Sequence, residues 1–176
     1  MRKATGLIAL IFFMALPAMS ADVPEAEVFG GFAYQRADIR DANLSLKGWN
    51  FSVSQNVNNW FGGVADFTGH YAQPLGINVH VHSFMYGPRF AFRKVPNVTP
   101  FGHVLLGAVR GSKGYLGLSD SKVEFGAAFG GGIDVKVHRV AAIRLIQADY
   151  MITPFLGLRQ DNLRFSAGFV FYLGEK

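Results

Sequence analysis

Apolar and polar side chains alternate with a period of two along most of this chain, in segments of about ten residues separated by turn formers. The second segment, Leu46–Val57, is the cleanest: Trp49, Phe51, Val53 and Val57 share one face, and Gly48, Asn50, Ser52, Ser54 and Asn56 share the other. Such a period places successive side chains on opposite faces of a strand. The same reading predicts strands over Glu27–Ala37, Trp60–Ala72, Asn78–Arg93, Thr99–Gly111, Val123–Lys136, Val140–Ile152 and Leu163–Leu173. No amphipathic helix of any length interrupts them.

Eight such segments, each long enough to cross a bilayer when tilted (~9–11 residues), predict an all-β, eight-stranded antiparallel up-and-down transmembrane β-barrel. In hydrocarbon every backbone N–H and C=O must be paired within the protein, and a closed barrel achieves this. The joins agree. Asn58-Asn59, Lys94–Val98 and Val137–Arg139 are short, Gln73–Ile77 is intermediate, and Asp38–Ser45, Ser112–Lys122 and Thr153–Asn162 read as longer loops. Short turns on one side and long loops on the other match periplasmic turns and extracellular loops, which places both mature termini in the periplasm.

Two segments break the pattern. In the seventh, Arg144 shares a face with Ala142, Ile146 and Tyr150, while Gln147 and Asp149 share the other with Ile143 and Leu145; a β-bulge near Arg144–Gln147 would repair it. The fifth is apolar on both faces, which leaves its register open. In the sixth, Gly130-Gly131-Gly132 permits a bend or the close approach of an inward side chain.

Composition changes the picture at the start of the chain. Met1-Arg2-Lys3, the apolar stretch Gly6 to Ala18 and the small-x-small pattern Ala18-Met19-Ser20 predict a cleaved signal peptide over residues 1–20, with the barrel domain over 21–176. No cysteine lies near the cut, so a lipid anchor there is not expected, and with no cysteine anywhere no disulfide holds the fold. The net charge of +5 includes Arg2 and Lys3 of this leader, and the remaining basic residues are scattered, unlike the clustered face of a nucleic-acid binder.

Candidate chemistry lies on the polar faces. Asp66, Arg89, Arg93, Glu124, Asp134, Lys136 and Arg164 point inward, where eight strands leave room for side chains to fill the interior. Buried charges must be paired, so these residues are expected to form a lumenal ion-pair network that plugs the barrel; a narrow solute or ion path through it is the alternative. His80 and His82 share a face but lack an evident third ligand, and no metal or cofactor is expected. Trp49, Trp60, Tyr71, Tyr86, Tyr150 and Tyr172 are candidates for interfacial girdles, Trp60 first among them. Arg40 and Lys113, in loops, are candidates for contact with anionic lipopolysaccharide.

These residues resemble the OmpA-like, OmpX-like family of small outer-membrane barrels over 25–173. The likeness is carried by Glu27 to Tyr34, Trp60 to Phe67, Gly87-Pro88-Arg89, Thr99-Pro100-Phe101 and Ile143 to Tyr150. Its most specific part is terminal: Ser166, Gly168, Phe171 and Leu173 follow the family's assembly signal, here followed by Gly174-Glu175-Lys176. The resemblance takes in the barrel domain only, with no peptidoglycan-binding domain expected. It implies the outer membrane of a Gram-negative envelope, contact with outer-membrane lipids and lipopolysaccharide, and handling by the barrel-insertion machinery. A structural or surface-interaction role without enzymatic activity is expected. Eight-stranded lipid A deacylases are similar in size but need a His-x-Ser pair on one face; His82-Ser83 are adjacent, and His70, His103 and His138 have no serine two places on. A soluble, lipocalin-like ligand-binding barrel remains a further alternative, with its phenylalanines turned inward.

Overall fold

A computed structural model describes residues 23–39, 42–73, 78–115, 118–155 and 158–174. The expected signal peptide lies outside them. Among the described residues the chain forms eight strands: β1 Ala26–Ile39, β2 Ala42–Asn56, β3 Phe61–Ala72, β4 Asn78–Ala91, β5 Val98–Tyr115, β6 Leu118–His138, β7 Ala141–Phe155 and β8 Leu158–Leu173. Each is antiparallel to its sequence neighbours, and β8 pairs with β1 from Ala26↔Leu173 to Ala37↔Asn162, closing the barrel. Closure removes the sheet edges, so no ladder is left open at either end of the sequence order. The expected fold class is the observed one.

The short joins are tight turns at the end where β1 begins and β8 finishes. Asn58 Oδ1 accepts hydrogen bonds from the backbone N–H of Trp60 (3.0 Å) and Phe61 (2.8 Å), which fixes the β2–β3 turn. Between β4 and β5, Val95-Pro96-Asn97-Val98 closes with Val98 N–H donating to the Val95 carbonyl. Proline sets the φ of the first central position, and Asn97 takes the left-handed φ of 60° at the second, the arrangement of a type II turn.

At the opposite end the expected loops are corrected. The β1–β2 ladder continues to Ile39↔Ala42, β5–β6 to Tyr115↔Leu118 and β7–β8 to Phe155↔Leu158. Asp38–Ser45, Ser112–Lys122 and Thr153–Asn162 are thus largely strand. With 18 residues in β5 and 21 in β6, against the ~9–11 that a tilted strand needs to cross a bilayer, this hairpin rises well past any apolar band. Over Ser112–Lys122 the sequence carries no period-two pattern, so nothing in it announces the continuing strand.

The barrel is apolar outside and polar within. Phe125 and Phe169 are 64% and 59% exposed, while Arg164 is fully buried at 0%. The outward and inward sets expected for β2 are those observed. β5 turns Phe101, His103, Leu105 and Val109 inward, which settles its register.

The expected bulge is present in β7. Arg144 pairs with Gly168 and Gln147 with Ser166 of β8, while Ile133↔Ile146 is followed by Asp134↔Arg144 on the β6 side. Leu145 is the extra residue, and Leu145 and Ile146 both face outward. This shift turns Arg144, Gln147 and Asp149 to the lumen together. A second irregularity falls between Lys136 and His138. The glycine run also has a steric reason: a Cβ on Gly130 would collide with the Asp149 carboxylate and with the Ala148 carbonyl.

Candidate functional site: the lumenal ion-pair network

The site begins at the turn end of the barrel. Glu27, the first inward side chain of β1, meets Arg93 (2.5 Å) and Arg89 (2.6 Å). Asn56 donates to the same carboxylate (3.0 Å) and accepts from Arg93 (3.0 Å), which also donates to the Asn59 carbonyl (2.8 Å). Arg89 reaches on to Asp134 at 3.2 Å.

Asp134 is held from its other side by Arg144 as a fork, Nε to Oδ1 at 2.8 Å and Nη2 to Oδ2 at 3.0 Å. Such bidentate pairing adds geometric specificity to charge. The Arg144 guanidinium also lies between two rings, 4.2 Å from the centroid of Phe29 and 4.3 Å from that of Phe101, whose ring also lies 4.5 Å from the Arg89 guanidinium. A cation stacked on an aromatic face gains from the ring quadrupole where water is excluded.

Gln147 joins this cluster to the next. It accepts from Arg144 (2.6 Å) and donates to Asp149 Oδ2 (2.7 Å). Asp149 then meets His103 (2.8 Å) and Arg164 Nε (2.9 Å), and Arg164 Nη1 donates to Asp66 Oδ1 (2.8 Å). Asn50 closes the chain by donating to Asp66 Oδ2 at 2.9 Å.

The hydrogen-bonded path thus runs Arg93, Glu27, Arg89, Asp134, Arg144, Gln147, Asp149, Arg164, Asp66, Asn50, with His103 as a branch. Its four arginines face four carboxylates, so the formal charges balance when His103 is neutral. An imbalance would leave a charge unpaired in the interior, at a cost of several kcal/mol, about 3–5 where one partner of a buried pair is removed.

Of the seven expected lumenal residues, the structure brings Asp66, Arg89, Arg93, Asp134 and Arg164 into this network. Glu124 it does not. Glu124 is half-buried further toward the hairpin end and makes no ion pair among the described residues. Lys136 sits near the opposite rim, its Nζ 5.5 Å from the Tyr172 ring centroid. Sequence reasoning missed Glu27, His103, Arg144, Gln147 and Asp149. Glu27 and His103 were legible in principle, each alternating with an outward apolar neighbour, whereas Arg144 needed the bulge placed to the residue.

The other candidates resolve locally. Ser166 faces the lumen, Gly168 packs against Gly30 and Gly31, and Phe171 and Leu173 face outward. His82 faces out while Ser83 faces in and hydrogen-bonds Thr68 at 2.6 Å, so the two point oppositely. His80 and His82 lie on one face, each with its ring edge-on to Tyr71 at 5.3 and 5.6 Å, and no cluster of three metal-ligating side chains occurs among the described residues. Trp60, 59% exposed beside its turn, stacks on Phe90 at 6.1 Å.

No family model matches the chain, and no curated protein matches it. Solved structures do. The attachment invasion locus protein Ail of Yersinia pestis, determined with the heparin analogue sucrose octasulfate, superposes with a TM-score of 0.60 at 21% identity, covering 85% of this chain and 99% of that one. Neisserial surface protein A gives 0.70 at 16% identity over 85% and 97% of the two chains. The outer-membrane protein OprG from Pseudomonas aeruginosa gives 0.57 at 12% identity over 88% and 98%. With its eight-stranded closed barrel and charged interior, the chain has the fold of the OmpA-like, OmpX-like small outer-membrane barrels.

Proposed function

We propose that this protein is an integral outer-membrane β-barrel with a structural or surface-interaction role in the bacterial envelope, non-enzymatic and closed to ions. Both described termini lie at the short-turn end, which corresponds to the periplasm in this reading, and the extended hairpins face outward from the cell. One observation carries the closed lumen: Arg164, fully buried, is held between Asp66 and Asp149, carboxylates from two other strands. An ion crossing the barrel would have to part these charges in a space that side chains already fill.

The outward phenylalanines support the membrane over a lipocalin-like barrel, which needs the reverse arrangement of faces. Expression in a Gram-negative host, followed by envelope fractionation and gels with and without boiling, tests location: a heat-modifiable band in the outer-membrane fraction is expected, and a soluble band without a heat shift would overturn it. Planar-bilayer recording tests closure. Wild type is expected to show no steady conductance, and salt-dependent conductance that changes in Arg89→Ala would favour the small-channel alternative.

A further inference from the structure

On the outward face of β2–β5, toward the hairpin end, the apolar surface gives way to cations and polar aromatics in an ordered manner. The phenylalanine row comes first, with Phe51, Phe67 and Phe84 in consecutive contact at centroid distances of 6.2 and 4.7 Å. The next outward row pairs Trp49 with Gly69, Gly69 with His82, and His82 with Arg110. Beyond it, Lys47 pairs with Tyr71, and Tyr71 with His80. Lys47, His82 and Arg110 are exposed, and no carboxylate shares this outward face on β2–β5 among the described residues.

The row is also held in place. A Cβ on Gly69 would run into the Trp49 indole, so the ring lies across the bare glycine backbone. From there Trp49 Nε1 donates to the Tyr71 hydroxyl (3.4 Å), which is 3.2 Å from His82 Nε2. The Tyr71 hydroxyl thus ties the Trp49 indole to the His82 imidazole. His82 in turn is the ladder partner of Arg110 on β5.

We propose that this face binds the phosphate-bearing headgroup of a lipid in the outer leaflet, with the lipid's chains lying along the phenylalanine row. The proposal rests on the membrane reading above and names a partner for it. Lys47, His82 and Arg110 supply the donors, and Tyr71 is the positioning residue that fixes His82. A divalent cation at the His80 and His82 pair is disfavoured by the same geometry, because Arg110 sits directly across the strand from His82. Arg40, expected to serve in this way, and the side chain of Lys113 lie outside the described residues.

The test uses the full mature chain refolded into phosphatidylcholine vesicles and titrated with bisphosphorylated lipid A or its dephosphorylated counterpart, with binding read by phosphorus NMR. Lys47→Gln, His82→Gln and Arg110→Gln together are expected to weaken binding by at least about tenfold, the equivalent of about 1.4 kcal/mol. Arg110→Gln alone and Tyr71→Phe should give smaller losses, and Lys94→Gln with Arg139→Gln at the opposite rim should give none. A heat-shifted band confirms that each variant is folded; were the triple variant not to fold, Arg110→Gln would carry the test. Equal binding by wild type and the folded variants, equal binding of the dephosphorylated lipid, or displacement by inorganic phosphate alone would each overturn the lipid headgroup as ligand. Failure of the wild-type chain to enter vesicles would overturn this inference and the membrane reading together.

Discussion

On β4 to β7 the inward face changes character along the strand. Toward the turns it carries Arg89, His103, Asp134, Arg144 and Asp149; toward the hairpins it carries Met85, Leu105, Val109, Ala128 and Met151, which pack with Val64 of β3 into one buried apolar cluster. Both halves fill the same narrow interior. The apolar half does so by volume alone and tolerates any shape that fits. The charged half is held by partners, so each member depends on others several strands away. Volume errors are therefore expected to be local in their effect, and charge errors to spread along the network.

The sharpest break of that comparison is Arg164→Met, which keeps much of the side-chain volume and removes the charge between Asp66 and Asp149. A loss of about 3–5 kcal/mol is expected, because two buried carboxylates lose a partner. Adding Asp66→Leu should recover part of the loss by lowering the number of unpaired charges. Thermal midpoints of the heat-modifiable band in detergent would measure both, and a double variant no more stable than the single would count against charge balance as the cause. Leu105→Ala, in the apolar half, should cost about 2–5 kcal/mol through the cavity it leaves. It should leave the His103 and Asp149 contact intact, which an NMR spectrum of the imidazole would report.

Gly130→Ala joins the two themes, since it adds one methyl group in the charged half. The new Cβ would collide with the Asp149 carboxylate and with backbone, so overpacking becomes a displacement of charge. A cost of about 1–3 kcal/mol is expected, together with a weakened contact between Asp149 and His103. A change in stability without any change in the His103 resonance would show that the strain is taken up by backbone instead.

How legible these halves were in the sequence follows from where each residue sits. β2 could be read outright, because Trp49, Phe51 and Val53 face outward while Asn50, Ser52 and Ser54 face a polar interior. β7 could not, because one extra residue, Leu145, reverses the parity on either side of it. The need for a bulge was visible as a conflict between Arg144 and Asp149, but its placement depends on two neighbouring ladders at once. Strand length was underestimated at the hairpin end, where the sequence loses its period-two alternation. Arg89, Arg93 and Arg164 were found because charge beside outward-facing phenylalanine stands out. Glu27, at a strand end, and His103, in an apolar strand, alternate with the apolar Val28 and Val104 but lack a flanking outward phenylalanine.

At the rim of the charged half the comparison should weaken. Arg93 contacts Glu27, Asn56 and the Asn59 carbonyl, but its side chain is 16% exposed and Glu27 keeps Arg89 and Asn56 when it is removed. Arg93→Gln is therefore expected to cost about 1 kcal/mol, the scale of a hydrogen bond rather than of a buried charge. Water entering from the turn end can solvate what the guanidinium leaves behind, which it cannot do at Arg164. The thermal midpoint should accordingly fall much less than in Arg164→Met, and the difference should narrow as salt is raised only for the rim variant. Equal losses at the two positions would mean that the network behaves as one sealed unit up to its edge, with no graded access of solvent from the turn end.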